Sequence, residues 1–445
     1  GLYSEDYARA VAVDVSDNVV VAGQTDGAMN GAGQGLNDIA VVKLNSLGVE
    51  QWTYQTGTTG HDVAFAVVTD ASENIYLTGF TGGSLHGESL QGNWDVCVIK
   101  LSSAGNLQWT KLKGTSGNDR GDGIAIDASG NAIVVVGSTE GTLGASFTGT
   151  KDVFAWKLST STGTQQWLTQ LGSTAEDDAN GVQIHAASGD VFLVGKTRGG
   201  MDGFTNDGPS GSEDFFIVKL DSSGVKQWTF QGGTTTYDYG WGVLVDPLGY
   251  SFVLGSTQGA VDGASAGGSD IFLLKLGPSG AEEWVYQTGT SGNDDPVARS
   301  LVFDADWNIV LAGSTTSNWP TFTNAGSQDV YVMTVVVPST TSSSTSSTSR
   351  SFSRTTTTTS SSSSTTSSLT SKTVTTTSVT SSTSMSTATS SGTTASTTSS
   401  VSSTSSSTSS KSSTTASMSS TLKTLTTSST SGTVFTGTSE TLTTS

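Results

Sequence analysis

Asp38-Ile-Ala-Val-Val-Lys-Leu44, then the turn Asn45-Ser-Leu-Gly48, then Gln51-Trp52, is the stretch that decides the fold. Ile39 and Val41 make one face of its strand apolar, and Ala40 and Val42 the other. A strand that is greasy on both sides has to be covered on both sides. The stretch also returns along the chain. Its Asp recurs as Asp95, Asp152, Asp214, Asp270 and Asp329, and its Lys as Lys100, Lys157, Lys219 and Lys275, with Thr334 in the last copy. Its Trp recurs as Trp109, Trp167, Trp228 and Trp284, with none in the last copy. Ahead of each Asp stands a Gly-x-Thr element, at Gly23, Gly79, Gly137, Gly195, Gly255 and Gly313, so the period is about 58 residues.

Each copy reads as four short strands. In the first they are Ala8 to Val13, Val19 to Ala22, Ile39 to Leu44 and Gln51 to Gln55, separated by turns rich in Asp, Asn, Ser and Gly. No stretch has convincing helical periodicity. Four-stranded sheets set radially shelter both faces against their neighbours, which is the design of a β-propeller. Parallel solenoids, the competing repeat fold, have shorter repeats without four turns per unit. The repeated Trp fits the wide outer gap between blades. The narrow axis fits small residues, and Ala10, Ala66, Gly123, Gly181 and Gly242 recur in the first strand. The fold class is therefore all-β, a β-propeller of six visible four-stranded repeats over residues 1–337.

Gly117-Asn-Asp-Arg-Gly-Asp-Gly-Ile-Ala-Ile-Asp-Ala-Ser-Gly-Asn131, Gly137-Ser-Thr139, Asp214-Phe-Phe-Ile-Val-Lys219 and Gln227-Trp228 together resemble the SBBP-type β-propeller repeat family. The resemblance covers nearly all of residues 1–337. It implies a propeller of secreted or surface proteins, generally without an assigned activity. His185 in place of the first-strand Asp, Thr334 in place of Lys, and the missing sixth Trp depart from the pattern.

Residues 338–445 hold 83 Ser or Thr in 108 positions and have no core to bury, so they are expected to form a disordered stalk. O-glycosylation would stiffen it; an unmodified linker is the alternative. No Asn-x-Ser/Thr sequon occurs. The stalk takes five basic residues and one acid, leaving 14 basic against 37 acidic residues, a net charge of −23, in residues 1–337. That excludes a nucleic-acid partner, which needs a basic face, and an anionic membrane surface. No apolar run approaches the roughly 18 residues of a membrane span. Cys97 is the single cysteine, so there is no intrachain disulfide and no compartment signal from cysteine.

Gly1 aligns with Gly57, just after a fourth strand, and the repeats end after a third, Val330 to Val337. The sixth blade is therefore expected to lack its outer strand. The missing strand would come from upstream of Gly1, or further repeats would precede Gly1 in a ring of seven, or Thr433 to Thr436 would fold back. The absence of an initiator Met points to truncation, with any signal peptide lost.

First and third strands run the same way, so their opening residues share one rim, called here the start rim. Asp6, Asp62, Asp119, Asp177, Asp238 and Asp294 open first strands there, beside the third-strand Asp, and the rim is expected to be acidic. Turn capping accounts for most of these carboxylates. Where acids cluster, Asp119 with Asp122, Asp177 with Asp178, and Asp294 with Asp295, they are candidate ligands for Ca2+, although no Asp-x-Asp-x-Asp-Gly loop supplies consecutive oxygens. Residues found in every blade are scaffold, so function belongs where copies differ. On the start rim Trp94, Arg198, Tyr237, Tyr239, Trp241 and Trp319 are the candidate ligand-binding residues, suited to stacking on sugar rings or anchoring a protein.

Chemistry finds little footing. His61, His86 and His185 form no cluster in the sequence, and Cys97 aligns with Ala40, Phe154 and Phe216 as a core thiol. Asp221-Ser-Ser-Gly-Val-Lys-Gln-Trp228 looks like a sialidase Asp-box with longer spacing, but its Arg cluster is absent. The reading is a non-enzymatic extracellular or cell-surface module binding glycan or protein through the loop rim. A polysaccharide-acting hydrolase or lyase and a purely structural module are the alternatives.

Overall fold

The computed structural model describes residues 5–29, 33–144, 147–209, 211–319, 323–324, 326–337 and 354–357. Apart from Arg354–Thr357, the stalk expected to be disordered falls outside them, and so does the fold-back of Thr433 to Thr436. Blade one is β1 (Asp6–Val13), β2 (Val19–Thr25), β3 (Asp38–Leu44) and β4 (Glu50–Thr56). Blade two is β5 (Asp62–Thr69), β6 (Ile75–Thr81), β7 (Asp95–Leu101) and β8 (Leu107–Lys113). Blade three is β9 (Asp119–Ile126), β10 (Ala132–Thr139), β11 (Asp152–Ser159) and β12 (Gln165–Leu171). Blade four is β13 (Asp177–Ile184), β14 (Val191–Thr197), β15 (Asp214–Leu220) and β16 (Lys226–Gly232). Blade five is β17 (Asp238–Val245), β18 (Ser251–Thr257), β19 (Asp270–Leu276) and β20 (Glu282–Thr288). Blade six is β21 (Asp294–Phe303), β22 (Ile309–Thr315), β23 (Asp329–Val335) and β24 (Arg354–Thr357).

Strand order within every sheet follows the chain, and every pair is antiparallel. No helix occurs among the described residues. The molecule is a six-bladed β-propeller, as the repeat demanded, with one correction. Blade six does have an outer strand: β24 pairs with β23, Val335 opposite Arg354 and Val332 opposite Thr357. A run of β-branched Thr supplies the strand from inside the Ser/Thr-rich segment.

Blades touch through their inner strands, β1 against β5 and onward to β17 against β21. The axis is as tight as the small residues implied, since a Cβ on Gly242 would stand 2.5 Å from Leu301. Each inner strand also carries a bulge, a single extra residue in blades one to five: Arg9, Phe65, Asp122, Asn180 and Trp241. In blade six the bulge widens to Val297-Ala-Arg-Ser300. The bulge explains the recurring Gly of Gly-x-Thr. A Cβ on Gly79 would lie 1.8 Å from the Val63 carbonyl oxygen, so only Gly lets the bulged backbone approach.

The recurring Trp latches each of the first four blades to the next. Trp52 Nε1 donates to the Ser103 carbonyl at 3.0 Å, Trp109 to Thr160, Trp167 to Ser222 and Trp228 to Pro278. Each indole lies on a turn Gly of the following blade: Gly105, Gly163, Gly224 and Gly280. Five apolar clusters form the core, one astride each successive blade pair. No such cluster, and no comparable strand contact, joins blade six to blade one among the described residues. The strands β6 and β18 are buried throughout, whereas β23 alternates, with Val330 and Val332 exposed. The ring is thus open on one flank.

Candidate functional site

The start-rim carboxylates are loop caps, as the turn-capping reading had it, and they are buried rather than presented to solvent. Of the twelve Asp that open first and third strands, eleven are buried and Asp6 alone is exposed. The reason is loop closure. Asp62 Oδ2 accepts from the Thr58 amide at 2.6 Å and from its hydroxyl at 2.9 Å, while the hydroxyl of Thr81, from Gly79-x-Thr81, donates to Oδ1. Asp119 repeats this with Thr115 and Thr139. The third-strand Asp instead takes a fourth-strand Gln, with Gln55 Nε2 2.7 Å from Asp38 and Gln170 Nε2 2.9 Å from Asp152. In blade two Leu112 stands in place of that Gln, and His86 bridges the hydroxyls of Thr56 and Thr110 at 2.9 and 2.8 Å.

The candidate metal ligands consequently divide. Asp119, Asp177 and Asp294 are loop caps, Asp295 accepts from Ser269 Oγ at 2.8 Å, and Asp122 and Asp178 are held by cations. No group of three or more His, Cys, Asp or Glu converges among the described residues.

What the fold does bring together is a mouth around the axis, on the start rim of blades two to five. Its first component is a ladder of rings: Tyr237 to Tyr239 at 6.3 Å and Tyr239 to Trp241 at 5.5 Å between centroids. The alternation of β17 puts these three side chains on one face, running from the exposed Tyr237 inward to the bulge residue Trp241. Trp241 Nε1 donates to Ser256 Oγ at 2.9 Å, which fixes the indole. The second component, across the mouth, is a stack in which Trp94 covers Phe80 at 4.6 Å and Phe80 meets Phe65 at 5.8 Å. Arg9 and Arg120 both lie on the ring of Phe65, at 5.7 and 5.6 Å.

Charged groups join the two. Arg120 Nε is 2.9 Å from Asp122 and its Nη2 is 3.8 Å from Asp178, which Lys151 approaches at 3.3 Å. Lys196 sits 5.0 Å above the Tyr239 ring and 2.9 Å from Glu213; Arg198 bridges Glu213, at 3.1 Å, and Glu176. Burial raises the Asp122 carboxyl above the ordinary range, against the pull of Arg120. Burial acts on Asp178 as well, but Lys151, Arg120 and Lys196 hold it below that range. Burial and the bond to Glu213 keep the Tyr239 hydroxyl protonated.

Beneath the mouth the axis is stoppered. The guanidinium of Arg299, from the blade-six bulge, donates to the carbonyls of Phe65 at 2.6 Å, of Asn180 at 3.0 Å, and of Asp122. On the far side lies a cavity of about 300 Å³ walled by Ala66, Val67, Ile124, Val182, Val243 and Leu301.

Of the six candidate ligand-binding residues, five line the mouth or its edge: Trp94, Arg198, Tyr237, Tyr239 and Trp241. Trp319 does not; it is 3% exposed and packs on Tyr331 at 5.7 Å in the core between blades five and six. The sequence reading passed over Phe65, Asp122 as a partner of Arg120, Asn180, Lys151, Lys196, Glu213 and the stopper Arg299.

The architecture places the chain among the β-propellers, with an aromatic and charged axial mouth. No family model matches it. It is 24% identical over 210 residues to the regulatory protein FlaEY of Caulobacter vibrioides, over 43% of this chain and 22% of that protein. It is 30% identical over 168 residues to an uncharacterized WD repeat-containing protein of Acanthamoeba polyphaga mimivirus, over 29% of this chain and 12% of that one. The matched parts are thus well under two thirds of these relatives' lengths. Among solved structures it resembles the β-propeller domain of the Trilobed protease from Pyrococcus furiosus, at TM-score 0.41 and 8% identity over 74% of this chain and 80% of that one. It also resembles the quinohemoprotein alcohol dehydrogenase from Comamonas testosteroni, at TM-score 0.39 and 10% identity over 68% of this chain and 55% of that one.

Proposed function

We propose that this propeller is a binding module of the cell surface or extracellular space, and that its axial mouth recognises a glycan chain. The Tyr237–Tyr239–Trp241 ladder is the observation that carries the reading. Its rings are presented in sequence from rim to axis, and flat aromatic faces stack on the apolar faces of sugar rings. Lys196, Arg198 and Glu213 flank the ladder and supply donors and acceptors for hydroxyls or an acidic sugar. The Ser/Thr-rich segment supports a stalked surface location, as a site for O-glycosylation.

A glycan array followed by calorimetric titration tests this. Tyr239→Ala and Trp241→Ala are each expected to weaken the retained glycan about 3- to 10-fold, the order of one lost stacking contact of about 0.5–1.5 kcal/mol. Trp319→Ala should lower the melting temperature while leaving the affinity of the folded protein unchanged. Retention of no glycan by the wild-type protein would defeat the reading and leave a structural module.

One observation supports hydrolysis as a second reading. Asp122 and Asp178 share Arg120, yet their environments push the two carboxyls in opposite directions, as a general acid and an ionised partner require. Turnover of a polysaccharide that Asp122→Asn and Asp178→Asn each abolish would establish it.

A further inference from the structure

We propose that the open flank between blade six and blade one is the seat of one further blade of this repeat type, joined on the N-terminal side of β1. The closed junctions show what a blade gives to its successor, the indole latch at four of them and the paired Asp at three. It lays an indole on the successor's turn Gly and donates Nε1 to a carbonyl of the same turn. It sets its third-strand Asp against the successor's first-strand Asp across a shared Gly, as Asp38 and Asp62 flank Gly57. It also closes an apolar face over the successor's inner strand.

Blade one carries the receiving half of all three, unfilled. Gly48 has φ of +77° like Gly105 at +79°, but where an indole atom stands 2.8 Å from a Cβ built on Gly105, nothing stands within 4 Å of one on Gly48. Asp6 is exposed, although its counterparts Asp62, Asp119, Asp177, Asp238 and Asp294 are all 0% exposed. Val11 and Val13 are 65% and 59% exposed where the same strand in blade two, at Val67, is 7% exposed. Across the gap, blade six presents Val302, Val330 and Val332 to solvent. Exposed apolar faces on both walls of one cleft mark an interface.

The latch identifies the occupant. In the four latches above the indole comes from the outer strand of the ring neighbour, so the occupant has to bring such a Trp to Gly48, and residues 338–445 contain none. A second copy of this chain does not fit, because the flank it could offer, blade six, has no Trp in its outer strand. The seated indole is expected to donate to the Ser46 carbonyl, two residues before Gly48, as Trp52 does to Ser103 before Gly105.

The test compares the chain with one extended ahead of Gly1 by a second copy of Gly57–Lys113, which keeps the natural five-residue step from Gly to Asp6. Val13→Cys and Val330→Cys are introduced singly into both chains and titrated with a thiol reagent; Cys97, the one native thiol, is buried. The extension is expected to slow labelling at both positions at least 10-fold and to merge into one unfolding transition at higher denaturant. Trp109→Ala in the added copy alone should return much of the labelling at position 13. A second extension, made from Gly114–Leu171, guards against one that does not fold. Unchanged labelling with both extensions overturns the proposal. So does a dimer of the unextended chain, seen by sedimentation, in which both thiols are already protected, because the occupant would then be a second copy.

Discussion

Arg299 enters the axis from the widest irregularity in the fold, with φ of +62°, and spends its guanidinium on three backbone carbonyls from blades two, three and four. Those carbonyls belong to the bulge residues Phe65, Asp122 and Asn180, whose outward backbone leaves them without a ladder partner on that side. A planar fork with several donors suits three separate acceptors, and a point-like ammonium does not. Burial lowers the affinity of the guanidinium for its proton, yet an arginine stays charged at any ordinary pH. Arg299→Met should therefore cost roughly 2–4 kcal/mol, because buried carbonyls lose charged donors, and Arg299→Lys should recover less than half of it. Urea midpoints at constant m-value measure both. The stopper was readable in the spacing: from the Asp that opens the first strand to the turn residue that closes it is eight residues in blades one to five, but ten from Asp294 to Asp304. The bulges of the other blades left no such mark, since an extra residue present in every copy changes no spacing.

At the scale of the strand and its turn, the repeated Trp and the turn Gly form one device. Gly105 needs its positive φ, and it also needs to be bare because the Trp52 indole lies on it. Gly48 has the same backbone and no indole. Gly105→Ala and Gly48→Ala therefore share the cost of a left-handed alanine, about 1 kcal/mol, and only Gly105→Ala adds the displaced ring. The expected outcome is that Gly105→Ala is more destabilising by about 1–2 kcal/mol, from overpacking, in paired chemical-denaturation curves. Equal costs would mean that the latch contributes nothing. These strands were legible from the sequence because alternation, Asp and Asn turns and a fixed period all pointed one way. The outer strand β24 was not, because a Thr-rich run looks the same in every register, and nothing in it distinguishes Arg354–Thr357 from its surroundings. The binding ladder was half legible. Tyr237, Tyr239 and Trp241 stand at alternate positions where other blades differ, whereas burial of Trp319 depends on Tyr331, a contact that no local pattern encodes.

Across the whole molecule the recurring Asp become a single property, its response to acid. At three junctions the same Gly is flanked by both carboxylates: Asp38 and Asp62 at Gly57, Asp152 and Asp177 at Gly172, and Asp214 and Asp238 at Gly233. Burial, with Asp152 close by, pushes Asp177 up to about 6; burial, with Asp207 and Asp238 close by, does the same to Asp214. Asp62, Asp95, Asp119 and Asp238 are also raised, chiefly by burial. A carboxyl whose pKa is raised by folding binds its proton more tightly in the folded state. Its stabilisation is complete below the unfolded value near 4 and is lost as pH climbs toward the folded value near 6. Asp14 works the other way. Although burial opposes it, Lys43 at 2.8 Å and Asn18 hold it at about 2, so its contribution is lost only as pH falls below about 4 toward 2. The two trends place maximal stability near pH 4 to 5, with a decline toward pH 7 where many proteins are at their best. Asp214→Asn should flatten that decline, since its amide nitrogen can occupy the position of Oδ1, which accepts no hydrogen bond, and nothing is left there to ionise. Urea midpoints for the two proteins at pH 4.5, 5.5, 6.5 and 7.5 measure the slope, and a wild-type midpoint that rises across that series would show that the buried pairs do not govern the fold's response to pH.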